Sequence, residues 1–179
     1  MMNLDKDLAA RQEARNLCAA AENARKLLAG FSQEKLDAIV EAAAQAFSAA
    51  APELAALAVE ETGFGNVEDK VTKNRFASER VAARIRHMKC VGVLKKDPGE
   101  KLWEVGVPVG VIAAIVPSTN PTSTVCYKAL IALKAGNAIV FSPHPKAIKC
   151  TLAAARIVAE AAERAGAPKG SVGCLTIPS

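Results

Sequence analysis

Two short polar stretches hold most of the chemistry this sequence can offer: Pro117 to Thr122 (PSTNPT) and Ser142 to Pro145 (SPHP). The first sets Ser118, Thr119, Asn120 and Thr122 beside backbone-stiffening prolines, just before a helical pattern. Negative charge is stabilised at a helix N-terminus, so these donors suit contact with a cofactor or with an oxyanion. Equally, Asn120 and Thr122 could merely cap the helix. In the second stretch His144 stands between two prolines, placed either to meet an adenosine or phosphate group or to remain an exposed loop residue. Cys126 follows the first stretch on the helix itself with no base near it in sequence, and reads as a packed thiol.

The flanking pattern supplies a scaffold for these loops. Gly110 to Val116 is a continuous apolar run, read as a buried strand, and Thr122 to Ala135 is a helix stopped by Gly136-Asn137. Ala138 to Phe141 makes a second strand, Lys146 to Ala165 a second helix ended by Gly166, and Val172 to Ile177 a third strand. Right-handed crossovers make such strands parallel, so the expected fold is α/β, with β-α-β-α-β forming half of a doubly wound, Rossmann-like sheet. Ligands of such sheets lie beyond the carboxyl ends of the strands, where both polar stretches fall. There is no GxGxxG and no Walker sequence, so the fold pattern does not by itself specify a dinucleotide.

Upstream, Leu4 to Ala29 reads as an amphipathic helix ended by Gly30. A second helix is capped by Ser32, with Glu34 in its first turn and Leu36, Ile39, Val40 and Phe47 as its buried stripe. Pro52 opens a third, ending near Thr62 and Gly63. From Val71 to Met88 the spacing predicts a helix with Val71, Ser78, Val81, Ile85 and Met88 on one face and Lys73, Arg80 and Arg84 on another. That basic stripe reads as a solvated face, with an anion site for cofactor phosphate as the alternative; His87 reads as helix surface. Asp97-Pro98-Gly99-Glu100 between Val91 to Leu94 and Leu102 to Val107 predicts a β-hairpin. Its edges are either blunted by Lys95, Lys96 and Lys101 or paired with another copy. The expected organisation is N-terminal helices over 1–90, the hairpin over 91–107 and the half sheet over 108–179.

Aromatic residues make up 4% of the chain and hydrophobic residues 51%, which suits a core of Ala, Val, Ile and Leu between helices and a parallel sheet. The net charge of +5 favours anionic partners, and a phosphate-rich cofactor satisfies it. With one Trp and one Tyr the platform for stacking nucleic-acid bases is missing, so no nucleic acid is expected. The 5 cysteines are scattered without a CxxC pair or clustered histidines, which argues against a metal site or disulfide framework and for a reduced, cytoplasmic setting. The apolar run at Val109 to Val116 is far short of a membrane span.

Four segments together resemble the aldehyde dehydrogenase superfamily: ETGFGNVEDKVTKN (Glu61 to Asn74), GVPVGVIAAIVPSTNPTST (Gly106 to Thr124), ALKAGNAIVFSPHP (Ala132 to Pro145) and AGAPKGSVG (Ala165 to Gly173). The resemblance runs in order over nearly the whole chain. It is strongest to the CoA-acylating branch, meaning acetaldehyde dehydrogenases and the N-terminal half of bifunctional aldehyde-alcohol dehydrogenases. It implies NAD as cofactor, a short-chain aldehyde and coenzyme A as substrates, and a homo-oligomer to which the hairpin region contributes. It further implies a catalytic cysteine in the domain after the cofactor domain, a position that no residue here occupies. The chain is therefore expected to be the N-terminal portion of such an enzyme, inactive alone.

The resemblance places Ile115, Val116 and Pro117 at the nicotinamide side of the cofactor, and Ser142, Pro143 and His144 near its adenosine ribose. Non-acylating members usually carry Lys at the position of Ser142, so the choice between NAD and NADP stays open. The family's oxyanion asparagine falls at Thr119, with Asn120 next to it, and both are candidates. Lys128 matches a lysine on the following helix, read otherwise as helix surface. The alternatives are a non-catalytic self-association module and part of an ordinary, non-acylating aldehyde dehydrogenase. The first helix reads as a domain-packing element rather than as a tag for a bacterial microcompartment, although the interior of one is compatible with a cytoplasmic protein.

Overall fold

The computed structural model describes residues 5–177, so Leu4, where the first helix was expected to begin, lies outside them. The helices are α1 (Lys6–Leu28), α2 (Gln33–Ala49), α3 (Ala51–Thr62) and α4 (Val67–Arg75), which runs through a π-helical turn (Phe76–Val81) into α5 (Ala82–Ile85). The hairpin strands β1 (Gly92–Asp97) and β2 (Leu102–Gly106) follow. Then come β3 (Val111–Val116), α6 (Pro121–Lys134), β4 (Ala138–Pro143), α7 (Ile148–Arg164) and β5 (Val172–Cys174). No single helix among the described residues is long and apolar enough to cross a membrane.

Local chemistry explains most boundaries. Ser32 Oγ accepts from the Lys35 N–H at 3.3 Å and starts α2. Gly63, at φ 69°, closes α3 in the left-handed conformation that glycine adopts without strain. Asn66 caps α4 through the Asp69 N–H at 2.8 Å, which is why this helix begins before the expected Val71. Its inward face also differs from expectation: Lys70, Asn74, Ala77, Ser78 and Ala82 are buried, whereas Met88 is 44% exposed. The π-helical turn inserts extra backbone and rotates the later residues relative to an uninterrupted helix.

The sheet is parallel, in the order β3-β4-β5, and the hairpin forms a separate antiparallel pair. One sheet face buries Ala114, Val116, Ile139 and Phe141 against α6, α7 and α2. The other packs Ala138, Val140 and Val111 on α1, through Ala21 and Leu28. Because α1 reaches only the start of β3, that strand is not buried throughout as its apolar run suggested: Ala113 is exposed and Ile115 is 77% exposed. Consecutive strands march away from β3 in one direction, so among the described residues its other edge has no partner strand.

Strand ends differ in two further places. β5 stops at Cys174 rather than Ile177, and β4 continues past Phe141 to Pro143. The proline is tolerated because its missing N–H would face the β5 side, where that strand has already ended; the next N–H, of His144, turns to β3 and donates to Val116 O at 3.1 Å. A half-buried polar cluster around the buried Lys134 ties α6 to α2 and to the root of the hairpin. Lys134 Nζ lies 2.6 Å from Asp37 Oδ1, and Gln33 Oε1 accepts from the Cys90 and Val91 N–H groups at 2.6 and 3.1 Å.

Candidate functional site

The carboxyl ends of β3 and β4 lie side by side, and their register sorts the expected cofactor contacts. Ile115 pairs with Ser142, and Val116 with Pro143. Paired residues of parallel strands share a face. Ile115 and the half-buried Ser142 therefore form one patch on the open face, while the Val116 and Pro143 side chains turn into the core. Ser142 and Pro143 are strand residues, not loop residues as the sequence suggested. Pro117 and His144 are exposed just beyond the strand ends, and His144 Nδ1 accepts from the Lys146 N–H at 3.1 Å.

Lys128 is not free helix surface. Successive strand carbonyls point to opposite edges, so with Val116 O bonded toward β4, Ile115 O faces the unpaired edge. There Lys128 Nζ donates to it at 2.8 Å. A long cation reaching back from α6 thus satisfies a carbonyl at the ligand end of the strand.

Neither Asn120 nor Thr122 caps α6. Asn120 occupies the N-cap position, but its side chain makes no capping bond and Lys73 Nζ lies 3.2 Å from its Oδ1. Thr122 is 2% exposed and donates through Oγ1 to Asn74 Oδ1 at 2.8 Å, while Asn74 Nδ2 donates to Ala51 O at 3.1 Å. Lys70, 3% exposed, donates to the Thr119 carbonyl at 2.8 Å. Burial, and then the neighbouring Lys73 charge, hold its ammonium below the usual lysine pKa. The inward stripe of α4 therefore grips the Thr119 to Thr122 segment, while Arg80 and Arg84 face solvent. Sequence reading placed Lys73 on an outer basic face and passed over Lys70 and Asn74. The signal available was their helical spacing inside the ETGFGNVEDKVTKN segment.

Glu61 was likewise passed over. From the end of α3 its carboxylate accepts the N–H groups of Lys149 and Cys150, both at 2.8 Å, and so caps α7 across a long stretch of chain. Burial alone would raise the Glu61 carboxyl, but hydrogen bonds from Cys150 and Lys149, with the Lys149 charge, hold it below its ordinary value of 4.5. A carboxyl with a lowered folded-state pKa stabilises the fold above its unfolded pKa, and loses that contribution as pH falls through the folded value. Glu61→Ala is expected to cost about 1 kcal/mol at neutral pH. In paired thermal melts its deficit against the wild type should shrink below the ordinary carboxyl value of 4.5. A deficit independent of pH would count against the cap.

Between α4 with its π-helical turn and the start of α6 lies an open groove of about 560 Å³ lined by Phe76, Ala77, Val81, Asn120, Ser123 and Tyr127. It is mostly apolar and ends at the Asn120 loop. The buried thiols nearby are not primed for nucleophilic work: burial raises Cys126 well above the usual thiol range. Cys150 is pushed up to about 12 by burial and by Glu61, and Cys174 to about 12 by burial and Glu13.

The profile of the aldehyde dehydrogenase family matches residues 5–178. The bifunctional aldehyde-alcohol dehydrogenase of Escherichia coli is 47% identical over 163 residues, which is 91% of this chain and 18% of that protein. An acetylating aldehyde dehydrogenase from Geobacillus thermoglucosidasius superposes with a TM-score of 0.96 at 56% identity, covering 98% of this chain and 39% of the other. A propionaldehyde dehydrogenase from Rhodopseudomonas palustris, solved with bound CoA, gives 0.79 at 31% identity over 92% of this chain and 37% of the other. The chain thus spans less than a fifth of the length of the curated aldehyde-alcohol dehydrogenases it matches.

Proposed function

Because the chain belongs to the aldehyde dehydrogenase family, we propose that it forms the cofactor side of an NAD-dependent, CoA-acylating aldehyde dehydrogenase. The reaction would convert a short-chain aldehyde, CoA and NAD to acyl-CoA and NADH, reversibly. The observation that carries this reading is the open patch at the carboxyl ends of β3 and β4. There Ile115 and Ser142 adjoin the donor-rich loop held by α4. An exposed apolar residue beside a hydroxyl, at the unpaired edge of the sheet's starting strand, fits a nicotinamide dinucleotide lying across the crevice. The bound cofactor would supply the hydride acceptor.

The chain's own residues would bind and orient. Ile115 and Pro117 offer the nicotinamide side, and Ser142 with His144 the ribose side. The side chains at Thr119 and Asn120 are the candidate contacts for the aldehyde oxygen, whose negative charge grows when a thiolate adds to the carbonyl. The apolar groove ending at Asn120 would take the aldehyde's carbon chain. Burial raises the thiols of Cys126, Cys150 and Cys174, while Cys18 on α1 and Cys90 before β1 belong to neither strand-end loop, so the nucleophile would be a cysteine outside these residues. The thiohemiacetal so formed becomes a thioester only on giving up hydride to the acceptor, and the CoA thiol would then take the acyl group and release the cysteine thiolate. We further propose that copies associate through the hairpin, whose Trp103 and Val105 are exposed on one face. The setting would be the cytoplasm or a microcompartment within it.

Two assays of NADH formation from acetaldehyde, NAD and CoA test the reading. The 179-residue chain alone should give none. The same chain grafted in place of the matching segment of an acetylating relative should turn over, with CoA accelerating product release. An inactive graft would overturn the function, and a graft indifferent to CoA would favour an ordinary aldehyde dehydrogenase. Activity of the lone chain would overturn the external nucleophile.

A further inference from the structure

Resting on the acylating-dehydrogenase reading, two neighbours still compete for the aldehyde oxygen, Thr119 and Asn120, and the contacts from α4 separate them. Lys73 Nζ is 3.2 Å from Asn120 Oδ1. An ammonium can only donate, so it must face the amide oxygen, and the Nδ2 donor end is turned away from α4. Lys70 Nζ, in turn, holds the Thr119 carbonyl at 2.8 Å. In a trans peptide the carbonyl and the following N–H point to opposite sides, so this bond also directs the Asn120 N–H away from Lys70. Both donors of Asn120 are thereby oriented by one helix face, on which positions 70 and 73 are neighbours. Thr119 is bound through its carbonyl, and among the described residues its exposed hydroxyl has no hydrogen bond to hold it in one rotamer.

The arrangement has features that plain packing does not explain. Asn120 stands at the N-cap of α6, where its side chain would ordinarily bond the helix's own N–H groups, and it does not. Lys70 is 3% exposed with a backbone carbonyl as its hydrogen-bond partner, and a second lysine lies one turn on. Two like charges placed together beside one loop repel each other, and what they share is the Thr119–Asn120 segment.

We infer that Lys70 and Lys73 are positioning residues that select Asn120, rather than Thr119, as the donor to the aldehyde oxygen. Lys73 sets the polarity of the amide and Lys70 fixes the peptide that carries it. Both act through the Thr119–Asn120 segment, Lys73 from the wall of the groove given to the aldehyde's carbon chain.

The test uses the active graft described above with Lys73→Met, a change at an exposed position that the fold should tolerate. Loss of an oriented donor should lower kcat by about tenfold to a hundredfold with roughly unchanged KM. Lys73→Arg, which can still donate to Oδ1, should recover most of the rate. In an Asn120→Ala background, Lys73→Met should have no further effect, because the two changes remove the same interaction. Unimpaired kcat in Lys73→Met, or losses that multiply in the double variant, would overturn the role while leaving the functional reading intact. An inactive wild-type graft would overturn the functional reading, and this role with it. A second readout does not need turnover: in the 179-residue chain, the side-chain amide proton pair of Asn120 should be shifted in Lys73→Met and restored in Lys73→Arg. An unshifted pair overturns the contact.

Discussion

Asn74→Leu is expected to lower the unfolding free energy by about 1–3 kcal/mol, although the change keeps the branching of the side chain. Asn74 is 1% exposed and has both ends of its amide engaged, with Oδ1 taking the Thr122 hydroxyl and Nδ2 serving the Ala51 carbonyl. Leucine satisfies neither. The buried Thr122 hydroxyl would be stranded at about 1–3 kcal/mol, whereas the Ala51 carbonyl, at the start of α3, keeps its bond within the helix. Pairing the change with Thr122→Val removes one stranded group, so the double variant should be less destabilised than the sum of the singles by about 1 kcal/mol or more. Urea unfolding of the four proteins measures this. Strict additivity would show that the amide and hydroxyl do not act together, and that α4 holds the Asn120 loop by its lysines alone.

Trp103→Glu should weaken self-association by about thirtyfold or more, corresponding to about 2 kcal/mol for a tryptophan at the centre of a contact. By strand alternation, Trp103 and Val105 project to one face of the hairpin and are 60% and 53% exposed. The cross-strand register sets Lys96 opposite Trp103, with its ammonium 4.2 Å from the ring centroid. That cation shields part of one ring face and leaves the rest of an apolar strip to solvent. Gly106 marks where the hairpin meets the body, since a Cβ there would stand 2.2 Å from the Cys90 carbonyl oxygen. Gln33 of α2 accepts from the Cys90 and Val91 N–H groups at that base, so the strip's orientation is tied to the helical body. Sedimentation equilibrium of the wild-type and variant chains is the measurement. A wild type that stays monomeric, or a variant that associates equally well, would remove the hairpin from the interface.

How much of this was legible beforehand depended on whether the governing interaction was local. Ser32, Gly63 and the Asp97-to-Glu100 turn set their elements within a few residues, and the observed boundaries follow them. β4 was foreshortened because proline at position 143 reads as a stop. Its acceptability depends on which side of the strand lacks a partner, and that is a property of β5. The helix predicted from Val71 was misphased because the pattern assumed an apolar inner face. Two of the residues actually buried, Lys70 and Asn74, are polar and are satisfied by partners far along the chain, while Ser78, which was expected there, bonds the nearby Asn74 carbonyl.

The sequence alone therefore determined the order of elements, the parallel half sheet and the two loops at its carboxyl end, together with the family they belong to. Each of these is written in short-range periodicity, turn chemistry and contiguous motifs. Only the tertiary structure decided which side chains at those strand ends face outward: Ile115 with Ser142 on the open face, Val116 with Pro143 in the core. It alone showed Glu61 on the first turn of α7, and Lys70, Lys73 and Asn74 around the Asn120 loop. The physical reason is that a buried hydrogen-bonding group must find a partner wherever the packed chain brings one. Residues 49 positions apart, such as Lys70 and Thr119, leave no periodic trace of that pairing in the sequence.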